Sequence, residues 1–577
     1  MADSKLAAPE PRRYPIIYVR GFAFGVDERD DTAADPYCGF NVGSTVYRAT
    51  ADREKPKSYF FESPLVRLSS EYGYHVLYRD GMEILDPAYA SGDAGRKRLE
   101  EGIPMASIII HRFYDAGSKL RGTGQTSSIL DYARELSSLI AMVRELVRPT
   151  AREAARDWGQ SLTDDELDAD FRCYLVAHSM GGLVVRTLLQ NDENDVPELE
   201  IDEVRRIYPK VRGCVAKVFT YGTPHNGIDF AGLNVPALPG FLKDVGTFNR
   251  ETMRGYLDQV PVGGKVNYLP ADVTPPASHW FSMIGTNRMD YEVAKGLSRT
   301  FVGRGSDGLV RIDNATLWYQ KDEAGRKKDM PVACAYAYRS HSGYFGIVNS
   351  EEAFQNLARF LFGNFRVDLW LDIAGVTLPE GVLAEEQKGR KVDAVYQIEL
   401  VVSTHGKTWS LSRRKAEEDS PACRTYQDLK ARAAASAVEP VHLSTVFLMK
   451  AAKVRADRPG ISYSVTLGIR APDYEVAKAF WPDGHFEGVS LFRDSLIVTL
   501  FDPEDLADLD ASHAPTSDWM VRCNWAEHGT ALEQRFTPAD IGQPIVIEIP
   551  LPPATPTVTA RNGALKATLR MEARMWQ

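Results

Sequence analysis

The sequence predicts two regions of different class. Residues 14–363 read as α/β with a mostly parallel sheet, and residues 364–577 read as all-β, resembling a β-sandwich. Three observations carry this. Up to Gly363, short β-branched runs alternate with longer helical periods, the order of a parallel sheet with helices on both faces. Beyond it, apolar and polar residues alternate between Pro, Gly and Asp, the mark of half-buried antiparallel strands. The length, 577 residues, exceeds what one hydrophobic core ordinarily organises.

In order, YPIIYVRGF (14–22) is a β-branched run ending in Gly21, a buried-strand pattern. SPLVRLSSEYGY (63–74) has helical spacing, and ASIIIHRFY (106–114) is a second strand. GQTSSILDYARELSSLIAMVRELVR (124–148) is a long amphipathic helix, with Ile129, Leu130, Ala133, Leu136, Ile140, Val143 and Val147 at steps of three and four. Ser128 with Asp131 three residues on forms a capping box for it. A polar excursion (149–170) precedes CYLVAHSMGGLVVRTLL (173–189), the strand CVAKVFTYGTP (214–224) and an irregular Gly/Pro-rich region (225–279). HWFSMIGTN and ACAYAYRSH are further strands, and SEEAFQNLARFLFG is the closing helix. In the β-rich region the strands are VYQIELVVST, VHLSTVFLMK, ISYSVTLGIRA, DSLIVTLFD, PIVIEIPLP and KATLRMEARM. The boundary is expected at 364–370.

Composition excludes several classes. A hydrophobic share of 44% and a charged share of 25% are those of a globular chain. A net charge of −10 with pI near 5.7 argues against nucleic acid as a partner, which calls for a basic stripe. The six cysteines carry no CxxC pair, so neither a disulfide framework nor a structural zinc site is expected. The first fifteen residues lack the apolar stretch of a signal peptide, and no run of eighteen apolar residues occurs. The cytoplasm is the default expectation, with signal-independent export open.

Chemistry concentrates at Ser179. CYLVA reads as strand and GGLVVRTLLQ as helix, so the serine sits at a tight strand-to-helix junction with small residues, Ala177 and Gly181, two positions to either side. Such an elbow exposes the hydroxyl at a helix N-terminus, where developing negative charge is favoured. A capping serine without chemistry is the competing reading. Downstream, in the order serine, acid, histidine, GRGSDGLVRIDNATL presents Asp307 in a Gly-rich loop and YRSHSGYFGIVNS presents His341 past a strand. Asp313 competes as the acid, and Asp290 less strongly. His178 reads as packing, because side chains flanking an elbow serine do not meet its hydroxyl. His225 and His279 stand at spacings unrelated to a metal site, and no metal ligand is assigned.

The motifs AHSMGG, YGTPHNG, SDGLV and HSGYFGIVNS, with the opening PIIYVRGF, resemble the bacterial lipases and the inositol-deacylase-like α/β-hydrolases in content and order. The resemblance spans residues 14–363. It implies an α/β-hydrolase domain with Ser179 as nucleophile, His341 as general base and acid, and Asp307 as orienting acid. It also implies an oxyanion hole from the backbone N–H groups of Phe22 and Met180. Arg20 stands where the family usually has histidine, and Ala177 replaces the first elbow glycine.

The implied activity is hydrolysis of carboxylic esters of lipids, as a lipase or phospholipase, through an acyl-enzyme and without a cofactor. A small-ester carboxylesterase is the alternative, as is a binding protein with secondary catalysis. Residues 228–275 are expected to form a lid, with Leu233, Leu238 and Phe241 of FAGLNVPALPGFL meeting substrate. The partners expected are a lipid or phospholipid and, transiently, a membrane surface. In outline the chain is similar to lipase effectors of type VI secretion, which adds an immunity or secretion partner for the C-terminal region.

Overall fold

The computed structural model describes residues 13–21, 45–48, 57–60, 64–77, 91–111, 113, 127–191, 211–230, 233–234, 246–289, 305–323, 325–342, 346–404, 406–453, 455, 457–477, 484–509, 518–529, 531–537 and 543–576. The chain divides into two compact units. The first takes residues up to Val332 together with Arg339–Phe354, and the second takes Ala333–Tyr338 and Gln355–Gln577.

In the first unit the strands β1 (Ile16–Val19), β2 (His75–Val76), β3 (Ser107–His111), β4 (Cys173–His178), β5 (Val215–Tyr221) and β6 (Trp280–Gly285) lie in the order β6-β5-β4-β1-β3-β2. Every pairing along this order is parallel. Their burial explains their composition. Ile16 to Val19 are all 0% exposed, as expected for strands covered on both faces. Helix α1 (Ile129–Asp157) opens on the Ser128–Asp131 capping box. Its buried residues Ala133, Leu136, Ile140, Val143 and Val147 are the expected stripe, whereas Leu130 points outward. Helix α2 (Met180–Gln190) starts immediately after Ser179.

Three readings of this unit need correction. The long helix does not stop at residue 148 but passes through Pro149 to Asp157. Proline removes one N–H from the ladder, and Ile103 ties the helix there. The Ile103 N–H donates to Leu146 O at 2.8 Å, and Thr150 Oγ1 donates to Ile103 O at 2.7 Å. The polar stretch after it holds a second capped helix, Asp164–Asp170, with a Thr163–Glu166 capping box. A polar hairpin, Trp318–Glu323 with Arg326–Pro331, was not anticipated; it pairs in parallel with Tyr268–Leu269.

The second unit contains two antiparallel sheets. One has the strands Glu439–Leu448, Phe365–Thr377, Ala564–Met575 and Ile545–Pro550, in that order. The other runs from Ser412–Arg414 through Val392–Thr404, Ile461–Val476, Gly484–Phe501 and Trp519–Trp525 to Ala531–Phe536. Alternate residues of both sheets, among them Leu369, Leu371, Ile398, Leu400, Val465 and Leu569, share one core, the period-2 burial that the alternating sequence requires. The unit takes in residues from Gln355 because the helix Glu351–Phe362 ends against it. Trp576 Nε1 donates to Phe360 O at 2.7 Å, and the Phe360 and Phe447 rings meet edge-on at 5.2 Å. Among the described residues no helix is long and apolar enough to cross a membrane.

Candidate active site

The loops leaving β1, β4, β5 and β6 all emerge at the carboxyl edge of the parallel sheet, where such sheets bind ligands. Ser179 follows β4 directly. Its N–H donates to Tyr221 O at 2.9 Å, and its backbone takes φ +51°, ψ −125°. A non-glycine residue in this region is strained and persists only where its surroundings enforce it. The enforcement is steric: a Cβ on Gly181 would lie 2.3 Å from Val19 O, and one on Gly21 would lie 2.8 Å from Ser179 Cβ. Only glycine lets β1, the elbow and α2 approach so closely.

His341 reaches Ser179 from the far end of the unit. His341 Nε2 lies 2.8 Å from Ser179 Oγ, and His341 Nδ1 lies 2.8 Å from Asp307 Oδ2. The carboxylate accepts the Nδ1 proton, which leaves Nε2 as an acceptor for the serine hydroxyl. Asp307 is itself fixed: its Oδ1 accepts from the N–H groups of Leu309 (3.0 Å) and Val310 (2.8 Å). The His341 N–H donates to Asp307 O at 2.9 Å, so the two loops are locked to each other by backbone as well as side chain. Ser179, His341 and Asp307 are 5%, 3% and 1% exposed. In such surroundings hydrogen bonds are electrostatically stronger than in water. Gly222, at φ +50°, lies beneath the pair, and a Cβ there would stand 3.0 Å from Asp307 Oδ2 and 3.1 Å from His341 Nδ1.

Asp313, the competing acid, lies exposed in the first turn of the short helix Ile312–Ala315. His341 Nδ1 meets Asp307 instead. Met180 is the first residue of α2, so its N–H has no partner within the helix and faces the Ser179 side. Phe22, Leu238, Phe241 and Asp290 lie outside the described residues. Leu233 belongs to a two-residue strand paired with Asp229–Phe230. Within the expected lid, Met253 and Val266 are 0% exposed and Phe248 and Leu257 are also buried, whereas Val260 is 80% exposed. His225 Nε2 meets Thr220 Oγ1 at 3.3 Å, and His279 Nδ1 meets Ala216 O at 3.0 Å.

Two neighbours of the site make contacts that the sequence does not specify: His178, read as packing, and Arg186. His178 Nε2 donates to His341 O at 3.0 Å, with the two rings 5.0 Å apart. Burial, and then the nearby His341, hold its pKa well below the usual imidazole range, so it stays neutral. Arg186, on α2 two turns from Ser179, is fully buried. It donates to His225 O and Val266 O at 2.8 Å each, to Tyr268 O at 3.2 Å and to Gln259 Oε1 at 3.0 Å. No signal in AHSMGGLVVR separates that arginine from a solvated one.

No family model and no curated protein sequence matches the chain. Among solved structures it is similar to phospholipase PlaB from Legionella pneumophila, at 12% identity and a TM-score of 0.25, covering 83% of this chain and 91% of that one. It is also similar to lipase 1 from Pelosinus fermentans, at 13% identity and a TM-score of 0.29, covering 61% of this chain and 98% of that one. A structure of the Legionella phospholipase in complex with thio-NAD aligns at 12% identity and a TM-score of 0.24, covering 82% and 89%. The functional reading rests on the site's own geometry.

Proposed function

We propose that the chain is a serine hydrolase of the α/β-hydrolase type that cleaves carboxylic ester bonds of lipids. Ser179 Oγ attacks the acyl carbonyl while His341 Nε2 takes its proton. Asp307 holds the imidazole in the required tautomer and stabilises its cation. The tetrahedral oxyanion rests on the N–H of Met180 and that of Phe22. His341 then protonates the departing alcohol, leaving an acyl-Ser179 ester that water hydrolyses through the same histidine.

The observation that carries this reading is the continuous Ser179 Oγ–His341–Asp307 hydrogen-bond chain, with both contacts at 2.8 Å, on a serine at φ +51°. A capping serine needs neither a buried imidazole on its hydroxyl nor a strained backbone. Lipids are favoured as substrates by the apolar segment FAGLNVPALPGFL (230–242), which follows the β5 edge in the chain and carries Leu233, Leu238 and Phe241. As a flap, its apolar side would cover an acyl pocket in water and turn to lipid at an interface.

The test is a panel of p-nitrophenyl esters, triglyceride emulsions and phospholipid vesicles, run on wild type and Ser179→Ala. The expected outcome is hydrolysis that rises when substrate passes from monomers to an interface and falls by several orders of magnitude in the variant. A serine-reactive fluorophosphonate should label wild type and not the variant. More than a few per cent of activity in well-folded Ser179→Ala overturns the mechanism. Hydrolysis without any interfacial rise moves the substrate class to small soluble esters.

A further inference from the structure

The second unit holds a cavity of about 470 Å³ between interior strands of its larger sheet and the chain after Leu448. That volume is within the range of small-ligand sites, roughly 300–1,000 Å³. All five charged residues lining it are cationic: Arg359, Lys453, Arg455, Arg458 and Arg522. This bias is not inherited from composition, because the chain has 78 acidic residues against 68 basic ones. Carboxylates outside the lining brace three of the cations: Asp505 on Lys453 at 3.3 Å, Asp457 on Arg455 at 2.9 Å and Glu533 on Arg522 at 2.6 Å. Arg458 is exposed and makes no ion pair among the described residues.

The cavity also holds an unmet hydrogen bond. Thr404 lines it and is only 9% exposed, yet its Oγ1 has no hydrogen-bond partner among the described residues. Buried hydroxyls are nearly always paired, so a polar atom of a ligand or water is called for at that position. Apart from Ser462 and Thr499, whose hydroxyls pair with each other at 2.8 Å, the remaining wall is largely apolar, including Ile461, Ile497 and Phe501, with the Arg522 guanidinium over the Phe501 ring, 5.1 Å from its centroid. Planar guanidinium groups suit carboxylate and phosphate oxygens, and the apolar wall suits a hydrocarbon chain.

We infer that this cavity binds a single-chain amphiphile with an oxyanion head, such as a fatty acid or a lysophospholipid. The head sits among Arg455, Arg458 and Lys453, the chain lies along Ile461, Ile497 and Phe501, and Thr404 Oγ1 supplies an inner polar contact. Binding here needs no chemistry at Ser179, so it stands or falls separately from the proposed hydrolysis.

The test is calorimetric titration of the full-length Ser179→Ala protein, which does not consume an ester ligand by the proposed mechanism. The ligands are oleate, lysophosphatidate, uncharged monoolein and inorganic phosphate, the lipids below their micelle-forming concentrations. Saturable binding of oleate or lysophosphatidate is expected, weakened by salt and reduced about tenfold by Arg455→Ala or Arg458→Ala. The isosteric Thr404→Val should weaken it several-fold. Lysophosphatidate alone identifies a phosphate head, whereas both ligands binding identifies recognition by charge. Arg455 and Arg458 are exposed, so unchanged thermal midpoints should accompany their loss of binding, and Arg458→Glu provides a stronger second variant. The proposal is overturned if neither charged lipid binds, if monoolein or inorganic phosphate binds as tightly, or if the arginine variants bind like wild type.

Discussion

His178 donates from Nε2 to the backbone carbonyl of His341 at 3.0 Å. The residue preceding the candidate nucleophile therefore holds the loop that delivers the candidate base, and the 2.8 Å contact between His341 Nε2 and Ser179 Oγ depends on where that loop sits. His178 touches no reacting atom. It is a positioning residue, kept neutral by burial so that its one N–H remains directed at the carbonyl.

Removing that tether should affect turnover more than binding. In His178→Ala, kcat for a soluble ester is expected to fall about tenfold, the scale of one lost hydrogen bond of about 1.4 kcal/mol, with KM nearly unchanged. His178→Gln keeps an N–H of similar reach and should recover part of the loss. Steady-state kinetics of the two variants decide it: wild-type kcat in His178→Ala would show that the loop stands without the tether.

The two acids are separable by one amide substitution each. Asp307→Asn keeps the shape but turns an acceptor of the His341 Nδ1 proton into a group that favours the wrong tautomer. A loss of roughly 10⁴ in kcat is expected, the magnitude seen for such a change in serine proteases. Asp313→Asn, at an exposed helix start, should stay within a fewfold of wild type. A heavy loss at 313 with a mild one at 307 reverses the roles.

What was legible in the sequence follows physical rules that act locally. The parallel strands were visible because burial on both faces demands unbroken β-branched runs such as Ile16 to Val19. The elbow was visible because a strained serine needs small neighbours at fixed spacing, whereas loop chemistry and chain order favoured Asp307 as the partner of His341 but left Asp313 open. The strand Phe365–Thr377 was less readable. Its second face is not apolar but carries Arg366 and Asp368, both buried and joined to each other, with Thr445 and Arg574 also on Asp368. A buried charge network looks like a solvated linker until its distant partners, Thr445 (77 residues on) and Arg574 (206 residues on), are brought beside Asp368. His178 and Arg186 were opaque for the same reason, since what each holds is backbone from distant loops.

Arg186 gives that statement an energetic test. Its guanidinium satisfies three buried backbone carbonyls on the segment 225–268, and burial lowers its pKa to about 9, which leaves it charged at neutral pH. Arg186→Ala strands His225 O and Val266 O without a donor, while Tyr268 O keeps that of Gln259 Nε2, and should cost about 3–5 kcal/mol of stability. Arg186→Lys, a point charge that cannot fan to several acceptors, should recover little. Urea unfolding measures both, and a loss below about 1 kcal/mol in Arg186→Ala would mean that the segment is held by packing alone.

Stability should also fall with mild acid, and the sign follows from four histidines, His111 and His225 buried and His178 and His442 half-buried. Burial first of all lowers the pKa of His111 and His442 to about 4 each, and holds His178 and His225 well below the usual value. In the unfolded chain each titrates near 6.5. Below about pH 6.5 the unfolded state therefore binds protons that the folded state refuses. The stability is fully present above that pH and is lost as pH falls towards 4, by up to about 1.4 kcal/mol per pH unit for each histidine. Asp368, pulled to about 2 by Arg366 and Arg574 against its burial, adds a loss only below the ordinary carboxylate range. Three of the four histidines lie in the first unit and only His442 in the second. Glu135, raised to about 7 by burial, takes up a proton in the folded first unit over the same range and offsets one of them, so the first unit should weaken between about pH 6.5 and 5 with a net slope of about two protons. Urea titrations at several pH values check this. His111→Gln, which keeps a donor towards Tyr132 O, should flatten the slope of the first unit by about one proton. A stability independent of pH from about 7 to 5 would show that these histidines take up their protons without unfolding.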